Sequence, residues 1–300
     1  IIYQQMKKRI KFIVNPISGH HNKNKFPNLV DLYIDKTKYD YSIAFTEHVN
    51  HASELTLEAI EEGYEYIGAV GGDGTINEIA KCLINKDQTL IIVPQGSGNG
   101  LARHLKLPLR IERLIKEVVN NGTEVKIDTA TMNDVPFLSV AGIGFDAQIA
   151  DFFAKDPKRG FITYAKLITE IYPNFKPKNY KLILDDDRTI ECKPFFITFA
   201  NSNQFGYNAE ISPKASVQDG LLDVCVFKKP NIIEAPLAAT LLMTKNIDKS
   251  NFIEIYKTRT ARVIRNEEEV VNIDGEAIFM GKEISVKVNP LSIKILLSSK

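Results

Sequence analysis

Gly71-Gly72-Asp73-Gly74-Thr75 lies between the apolar run Ile67 to Val70 and a helix-like run from Ile76 to Ile84. This order of strand, glycine turn and helix predicts a loop that cradles phosphate. Glycines let the backbone turn sharply and approach a polyphosphate closely, and the N–H groups that open the next helix present partial positive charge to it. A carboxylate in such a loop does not attract phosphate. Asp73 has a place there if a Mg2+ ion stands between acid and phosphate, or if it handles the proton of an attacking hydroxyl. The alternative is a turn residue held by local backbone bonds. Thr75-Ile76-Asn77-Glu78 also fits the pattern Thr-x-x-Glu, which predicts a capping box with Thr75 as cap and Glu78 reaching back.

Outward from this loop, strand and helix signals alternate. Ile10 to Val14, Tyr41 to Phe45, Ile67 to Val70 and Leu90 to Val93 read as strands. Ser53 to Glu62 carries Leu55, Ala59 and Ile60 on one helical face, and Ile76, Ile79, Ala80 and Leu83 repeat at helical spacing. The alternation predicts an α/β domain with a doubly wound parallel sheet, in which ligands bind beyond the carboxyl ends of the strands. Three strand ends carry loop chemistry: Asn15-Pro16-Ile17-Ser18-Gly19, the Gly71 loop, and Pro94-Gln95-Gly96-Ser97-Gly98-Asn99-Gly100. Taken singly, the first reads as a β-turn and the last as a flexible loop. Side by side they suit the phosphates of one nucleotide.

The texture changes near Asn120-Asn121-Gly122, after which short β-rich runs dominate: Leu182 to Leu184 and Ile190 around the Asp185-Asp186-Asp187 turn, then Phe195 to Phe199, Leu222 to Phe227, Phe252 to Tyr256, Val270 to Ile273, Ile284 to Val288 and Ile293 to Leu297. Two domains are expected, 1–126 as the α/β unit and 127–300 as an all-β unit, a sandwich or a barrel by its many short strands, with the last strand able to pack back toward the first domain. One helical interlude is expected, Phe161 to Tyr172, with Phe161, Tyr164, Ala165, Ile168 and Ile171 on one stripe. That stripe reads as a packed helix face or as a surface for lipid, as do Phe152 and Phe153. Ile273-Asp274-Gly275-Glu276 reads as a hairpin turn, or as an extended segment whose Asp274 and Glu276 share one face and converge on one ion.

Composition restricts the function. The 300 residues are 44% hydrophobic, and 38 Lys plus Arg against 37 Asp plus Glu leave a net charge of +1, which gives no field for drawing in nucleic acid. Cys82, Cys192 and Cys225 are scattered and lack a CxxC spacing, which predicts a reducing compartment and argues against a disulfide framework or a zinc site. No signal-peptide core follows Lys7-Lys8-Arg9, and the apolar run Ile232 to Met243 is short of the ~20 residues of a spanning helix. A cytoplasmic protein without a transmembrane segment is expected. Gly142-Ile143-Gly144-Phe145-Asp146-Ala147 matches G-x-G-x-x-A but lacks the surroundings of a dinucleotide site. No carboxylate or thiol near His48 and His51 is expected to complete a metal set, and they read as surface or helix-entry residues. Neither the G-x-x-x-x-G-K-[ST] loop nor the protein-kinase signatures occur.

Gly71-Gly72-Asp73-Gly74-Thr75, Pro94-Gln95-Gly96-Ser97-Gly98-Asn99, Asp219-Gly220-Leu221-Leu222-Asp223 and Asp274-Gly275-Glu276, in this order, resemble the diacylglycerol kinase catalytic-domain family of soluble bacterial lipid kinases and sphingosine kinases. NAD kinases and phosphofructokinases share only the Gly-Gly-Asp-Gly element. The resemblance implies an active site in a cleft between the two domains, with ATP contacted by Asn15, Thr46, Gly72, Gly74, Thr75, Gly96 and Ser97, and with Lys158 or Arg159 near its phosphates. It also implies a structural Mg2+ held by Asp219 and the backbone carbonyls of Ser216 and Leu221. Family members differ on the general base, which falls here on Asp73 or Asp274. The reading preferred is Asp274 as base, Glu276 as Mg2+ ligand and Asp73 as organiser of the ion and water network. Ser97-Gly98-Asn99 is closer to the sphingosine-kinase form than to the Gly-Thr-x-Asn of bacterial members. The expected activity is thus ATP- and Mg2+-dependent phosphorylation of a lipid hydroxyl (diacylglycerol, phosphatidylglycerol or a sphingoid-type acceptor) by a protein that visits the membrane surface, with a homodimer left open. The rivals are an NAD or sugar kinase and a non-catalytic nucleotide or lipid sensor.

Overall fold

The computed structural model describes residues 6–17, 25–156, 160–185, 187–206 and 208–299. Ser18 and Gly19 of the first loop, Asp186 of the acidic turn, and Lys158 and Arg159 lie outside these residues. The chain divides into two compact units, Ile1–Ile127 with Leu291–Lys300, and Asp128–Pro290.

The first unit follows the alternation of its sequence: β1 (Lys8–Val14), α1 (Phe26–Tyr33), β2 (Tyr39–Phe45), α2 (His51–Glu61), β3 (Tyr66–Gly71), α3 (Asp73–Leu83) and β4 (Thr89–Pro94). The strands pair in parallel in the order β2-β1-β3-β4. Every residue of β3 and β4 is buried, as expected of parallel strands covered on both faces. Short helices α4 (Gly100–His104) and α5 (Ile111–Leu114) follow, with a π-helical turn over Ile115–Val119. One expectation fails locally. Because α3 begins at Asp73 with Gly72 as its N-cap, Thr75 sits inside the helix, so the capping box does not form. The Glu78 carboxylate instead accepts the N–H of Ser53 at 3.0 Å, in the first turn of α2.

The second unit is an antiparallel sandwich entered from β5 (Thr123–Met132). Its strands are β6 (Val135–Phe137), β7 (Val140–Gly144), β8 (Tyr180–Leu184), β9 (Thr189–Cys192), β10 (Phe196–Ala200), β11 (Gln204–Gly206), β12 (Ala209–Glu210), β13 (Leu222–Phe227), β14 (Ile253–Thr258), β15 (Thr260–Arg265), β16 (Glu269–Ile273) and β17 (Glu276–Met280), and β18 (Glu283–Leu297) ends the series. One sheet runs β14-β13-β10-β7-β16-β17, and β18-β15-β8-β9 form the other layer, with β5 and β6 at β18. Ile143, Phe199, Val224 and Val271 of the first layer share a buried core with Leu182, Val263, Ile284 and Val286 of the second.

Two expected strands, 284–288 and 293–297, are one. In β18 residues 283–287 pair antiparallel with β15, and Lys294 and Ile295 pair parallel with β4. Pro290 lies where the partner changes, so its missing N–H interrupts neither ladder. In place of one helical interlude the described residues form three α-helices, α6 (Phe145–Lys155), α7 (Phe161–Ile171) and α8 (Ala235–Met243), with a short 3-10 turn over Ile247–Lys249. Tyr164 and Ile168 of α7, with Ile171, pack on a second cluster around Phe145, Phe195 and Phe227, so one face of this helix belongs to the core. Among the described residues no helix is long and apolar enough to cross a membrane.

Candidate active site

In the order β2-β1-β3-β4 the chain reverses its direction of growth between β1 and β3, which is where open parallel sheets bind ligands. Thr46 follows β2, Asn15 follows β1, the Gly71 loop follows β3 and the Gly96 loop follows β4, so the expected nucleotide residues line one edge of the sheet. Bonds join these loops. Thr46 N–H donates to Val14 O, Asn15 N–H to Val70 O and Gln95 N–H to Gly71 O, while Asn15 Nδ2 donates to Thr75 Oγ1 at 3.0 Å. Steric fit joins them as well. A Cβ on Gly96 would stand 2.6 Å from the Cα of Gly72, so the two loops meet through bare backbone.

Asp73 ties the loops together. Its Oδ2 accepts the N–H of Asn99 at 2.8 Å and its Oδ1 the N–H of Gly100 at 2.9 Å, at the start of α4. Burial pushes this carboxyl above the usual range, against the lowering effect of those N–H groups. Asn99, in the left-handed conformation at φ 53°, closes its own loop by accepting the Gly96 N–H and donating to the Gly96 carbonyl. Ser97 is exposed between them. Arg103 is a cation of this loop that the sequence reading missed: its Nε donates to Gly98 O at 3.0 Å. The signal was available, since Arg103 stands in the helix that the loop opens.

In the second unit Asp274-Gly275 is the two-residue turn between β16 and β17, with φ of 50° and 91°. This is the hairpin reading, and the chain folds back instead of running on extended. Asp274 is half-buried and Glu276 is exposed at the start of β17, so strand alternation does not bring the two carboxylates to one face. Asp274 accepts three successive main-chain N–H groups: Leu138 at 2.7 Å on Oδ2, and Ser139 at 2.8 Å and Val140 at 2.9 Å on Oδ1.

A second acid stands behind this turn. Asn272 Oδ1 accepts the Gly275 N–H at 2.8 Å, and its Nδ2 approaches Oδ2 of Asp146 at 3.4 Å. Asp146 is buried at the start of α6, and its Oδ1 makes no hydrogen bond of standard geometry among the described residues. Burial pushes its carboxyl up to about 7, offset only in part by Asn272 and by the N–H groups of the helix start. A Cβ on Gly142 would fall 1.9 Å from Asp146 Oδ2. The glycine of the G-x-G-x-x-A match therefore makes room for a carboxyl group of its own chain.

Asp219 is the expected ligand of a structural Mg2+. Its Oδ1 accepts the Leu221 N–H at 3.2 Å and its Oδ2 lies 2.8 Å from the Lys257 ammonium, which also reaches Asp223 at 3.1 Å. Asp128 supports the same loop by accepting the Gly220 N–H at 2.8 Å. Carboxylates and backbone carbonyls are the hard oxygen donors that Mg2+ takes, and Lys257 stands in for a cation among them, so the donor chemistry fits the ion. Sequence reasoning missed Lys257, 38 residues away. It also left His48 and His51 without a third ligand, which the fold supplies in Glu54: ligand atoms of the three residues lie within 4.8 Å of one another.

Comparison with known proteins agrees with this architecture. The diacylglycerol kinase catalytic domain model matches residues 9–132, and the YegS C-terminal NAD kinase beta sandwich-like domain model matches residues 139–297. A diacylglycerol kinase of Bacillus subtilis is 28% identical over 274 residues, covering 90% of this chain and 90% of that one. A diacylglycerol kinase of Staphylococcus saprophyticus is 26% identical over 276 residues, again covering 90% of each. The solved structure of a diacylglycerol kinase from Bacillus anthracis shares the fold, with a TM-score of 0.74 at 20% identity over 97% of both chains. With glycine loops joined at a sheet edge, an Asp-Gly hairpin on a sandwich and both domain models matched in order, this chain belongs to the diacylglycerol kinase catalytic-domain family.

Proposed function

We propose that this protein transfers the γ-phosphoryl group of ATP to the hydroxyl of a lipid. The observation that carries the reading is the union of the two glycine loops through the Asp73 carboxylate and the Gly72–Gly96 contact, a backbone surface shaped for phosphates at the reversal point of the sheet. Asn15, Thr46, Gly72, Gly74, Thr75, Gly96 and Ser97 contact the nucleotide in this reading. Phosphoryl transfer depends mainly on positioning and charge neutralisation, and preorganised N–H groups contribute both.

In the second unit Asp274 is the base. It takes the proton of the lipid hydroxyl while that oxygen bonds to the γ-phosphorus, and the bond to the β-phosphate oxygen breaks to leave ADP. A carboxylate is a weak base and takes such a proton late, as the new P–O bond forms. Asp73 acts as organiser of the loops, and Glu276 is the ligand for the Mg2+ that accompanies ATP. That ion would neutralise phosphate charge. At Asp219, with the carbonyls of Ser216 and Leu221, a second Mg2+ would take the place of the Lys257 ammonium and serve structure.

Exposed apolar side chains favour a lipid acceptor over NAD or a sugar. Ile232 and Ile233 are 78% and 89% exposed ahead of α8, and Leu237 on α8, Ile162 on α7 and Phe152 on α6 are also exposed. Side chains of this kind are at home against acyl chains at a bilayer surface. The test is incubation with labelled ATP and Mg2+ against diacylglycerol, phosphatidylglycerol, ceramide, sphingoid bases, NAD and sugars. Labelled lipid is expected, with a higher rate when the acceptor is presented in vesicles. Label in NAD or sugar alone would replace the lipid reading, and ATP binding without any labelled product would make the protein a sensor.

A further inference from the structure

His48, His51 and Glu54 stand together where β2 turns into α2. Asn50 between the histidines is left-handed at φ 66°, and the two imidazole rings stack with centroids 4.4 Å apart and planes 8° from parallel. The ring of His48 has a defined proton. Its Nδ1 lies 3.0 Å from the carbonyl oxygen of Val49, which can only accept, so Nδ1 carries the hydrogen. In the neutral ring Nε2 then presents a lone pair, and 3.8 Å away it meets Oε2 of Glu54, a second lone-pair atom. Both side chains are more than half exposed, so water can bridge these two acceptors, and a metal ion can take the water's place between them. Among the described residues no lysine or arginine pairs with Glu54 to supply the charge.

We propose that His48, His51 and Glu54 form a binding site for a divalent cation of the zinc class. Two imidazoles and one carboxylate suit borderline ions such as Zn2+ and leave a place for water, whereas Mg2+ prefers oxygen throughout. The Val49 carbonyl on the far side of the His48 ring is the outer partner that metal-bound histidines usually have, fixing the tautomer and raising the basicity of Nε2. Glu54 lies in the first turn of α2, where its charge offsets the positive end of the helix that would otherwise oppose a cation. His51 is the weakest of the three ligands: its Nδ1 accepts the Glu47 N–H at 3.0 Å and must exchange that bond for the ion, and its ring must turn out of the stack on His48, because lone pairs in the planes of parallel rings do not meet at one point. The site is separate from the glycine loops but tied to them, since the first turn of α2 is held by Glu78 of α3. It does not depend on the proposed kinase activity.

The experiment is calorimetric titration of the whole reduced protein with Zn2+ alone, with Mg2+ in parallel, and Co2+ absorption to identify the ligands. One Zn2+ per chain is expected, with no competition from Mg2+ and no thiolate band from Cys82, Cys192 or Cys225. His48→Ala and Glu54→Gln are expected to weaken binding at least ~10-fold and His51→Ala less, with all three proteins folded because the side chains are exposed or half-buried. Failure to take up Zn2+, uptake unchanged in His48→Ala and Glu54→Gln, or a thiolate spectrum would each overturn the proposal.

Discussion

The glycine loops of the first unit and the Asp274 turn of the second solve the same problem by different means. In both, a carboxylate gathers main-chain N–H groups distant in sequence: Asp73 those of Asn99 and Gly100, Asp274 those of Leu138, Ser139 and Val140. Around Asp73 the fit is also steric, with Gly72 and Gly96 pressed together through bare backbone. Around Asp274 it is polar, with Asn272 and the buried Asp146 behind the turn. Steric fit is insensitive to pH, and a polar brace that includes a carboxyl pushed up to about 7 is not. Substitutions should therefore separate the two regions by kind as well as by size.

The largest effect is expected at Asp274. Asp274→Asn should lower kcat at least ~100-fold while ATP binding persists, as for loss of other general bases. Turnover near the wild-type rate would take Asp274 out of the chemistry and leave Asp73 as the acid to test.

Asp146→Asn probes the polar brace through stability. The folded value of Asp146, about 7, lies above its ordinary 3.8, so the folded chain keeps a proton that the unfolded chain releases. Stability from this group is complete below about pH 4, declines as the pH rises toward 7 and is lost above it. The asparagine variant should thus gain about 2–4 kcal/mol on wild type at pH 8 relative to its standing at pH 4. Urea unfolding at the two pH values measures this, and identical pH slopes would mean that Asp146 is not held protonated by the fold.

The steric side is tested by a pair of glycines. Gly96→Ala forces a Cβ onto the Gly72 backbone and should cost about 1–3 kcal/mol together with ATP affinity. Gly74→Ala meets nothing within 4 Å and lies in α3, so it should keep or raise stability by up to about 1 kcal/mol. Any loss of ATP affinity in Gly74→Ala then reports on contact with the nucleotide alone. Equal melting temperatures for the two variants would contradict the close approach of the loops.

Lys257→Met should have the smallest effect. Without the ammonium, Asp219 and Asp223 are left to repel each other, and added Mg2+ should raise the melting temperature of this variant more than that of wild type. An equal response to Mg2+ would remove Asp219 as an ion site.

The two central parallel strands and their loops could be read from the sequence because β3 and β4 are short apolar runs followed by glycine, and the backbone needs glycine where Gly72 meets Gly96. Asp73, Asp274 and Glu276 could be named, but their neighbours could not. The three N–H groups on Asp274 come from 134 to 136 residues away, and Lys257 reaches Asp219 across 38. Helix α8 was read only as part of an apolar run too short to span a membrane, because it is apolar on most sides and Ala238 alone of its residues is buried, so no helical period marks it. Ile284 to Val288 and Ile293 to Leu297 read as two apolar runs because the pattern lapses where the single strand β18 changes partners. Glu54 is the exception: it stands three residues after His51, a separation that places side chains together on a helix, and it was overlooked.

That change of partner within β18 has a consequence for the nascent chain. The strand borders β4 at Lys294 and Ile295, so a ribosome that has made residues 1–127 has delivered a sheet whose outer ladder still lacks its neighbour. Unpaired strand edges invite association with other chains, and this one stays open through synthesis of the entire sandwich. The domain translated first is thereby completed last, which makes the interval before its closure the time when a chaperone has most to offer.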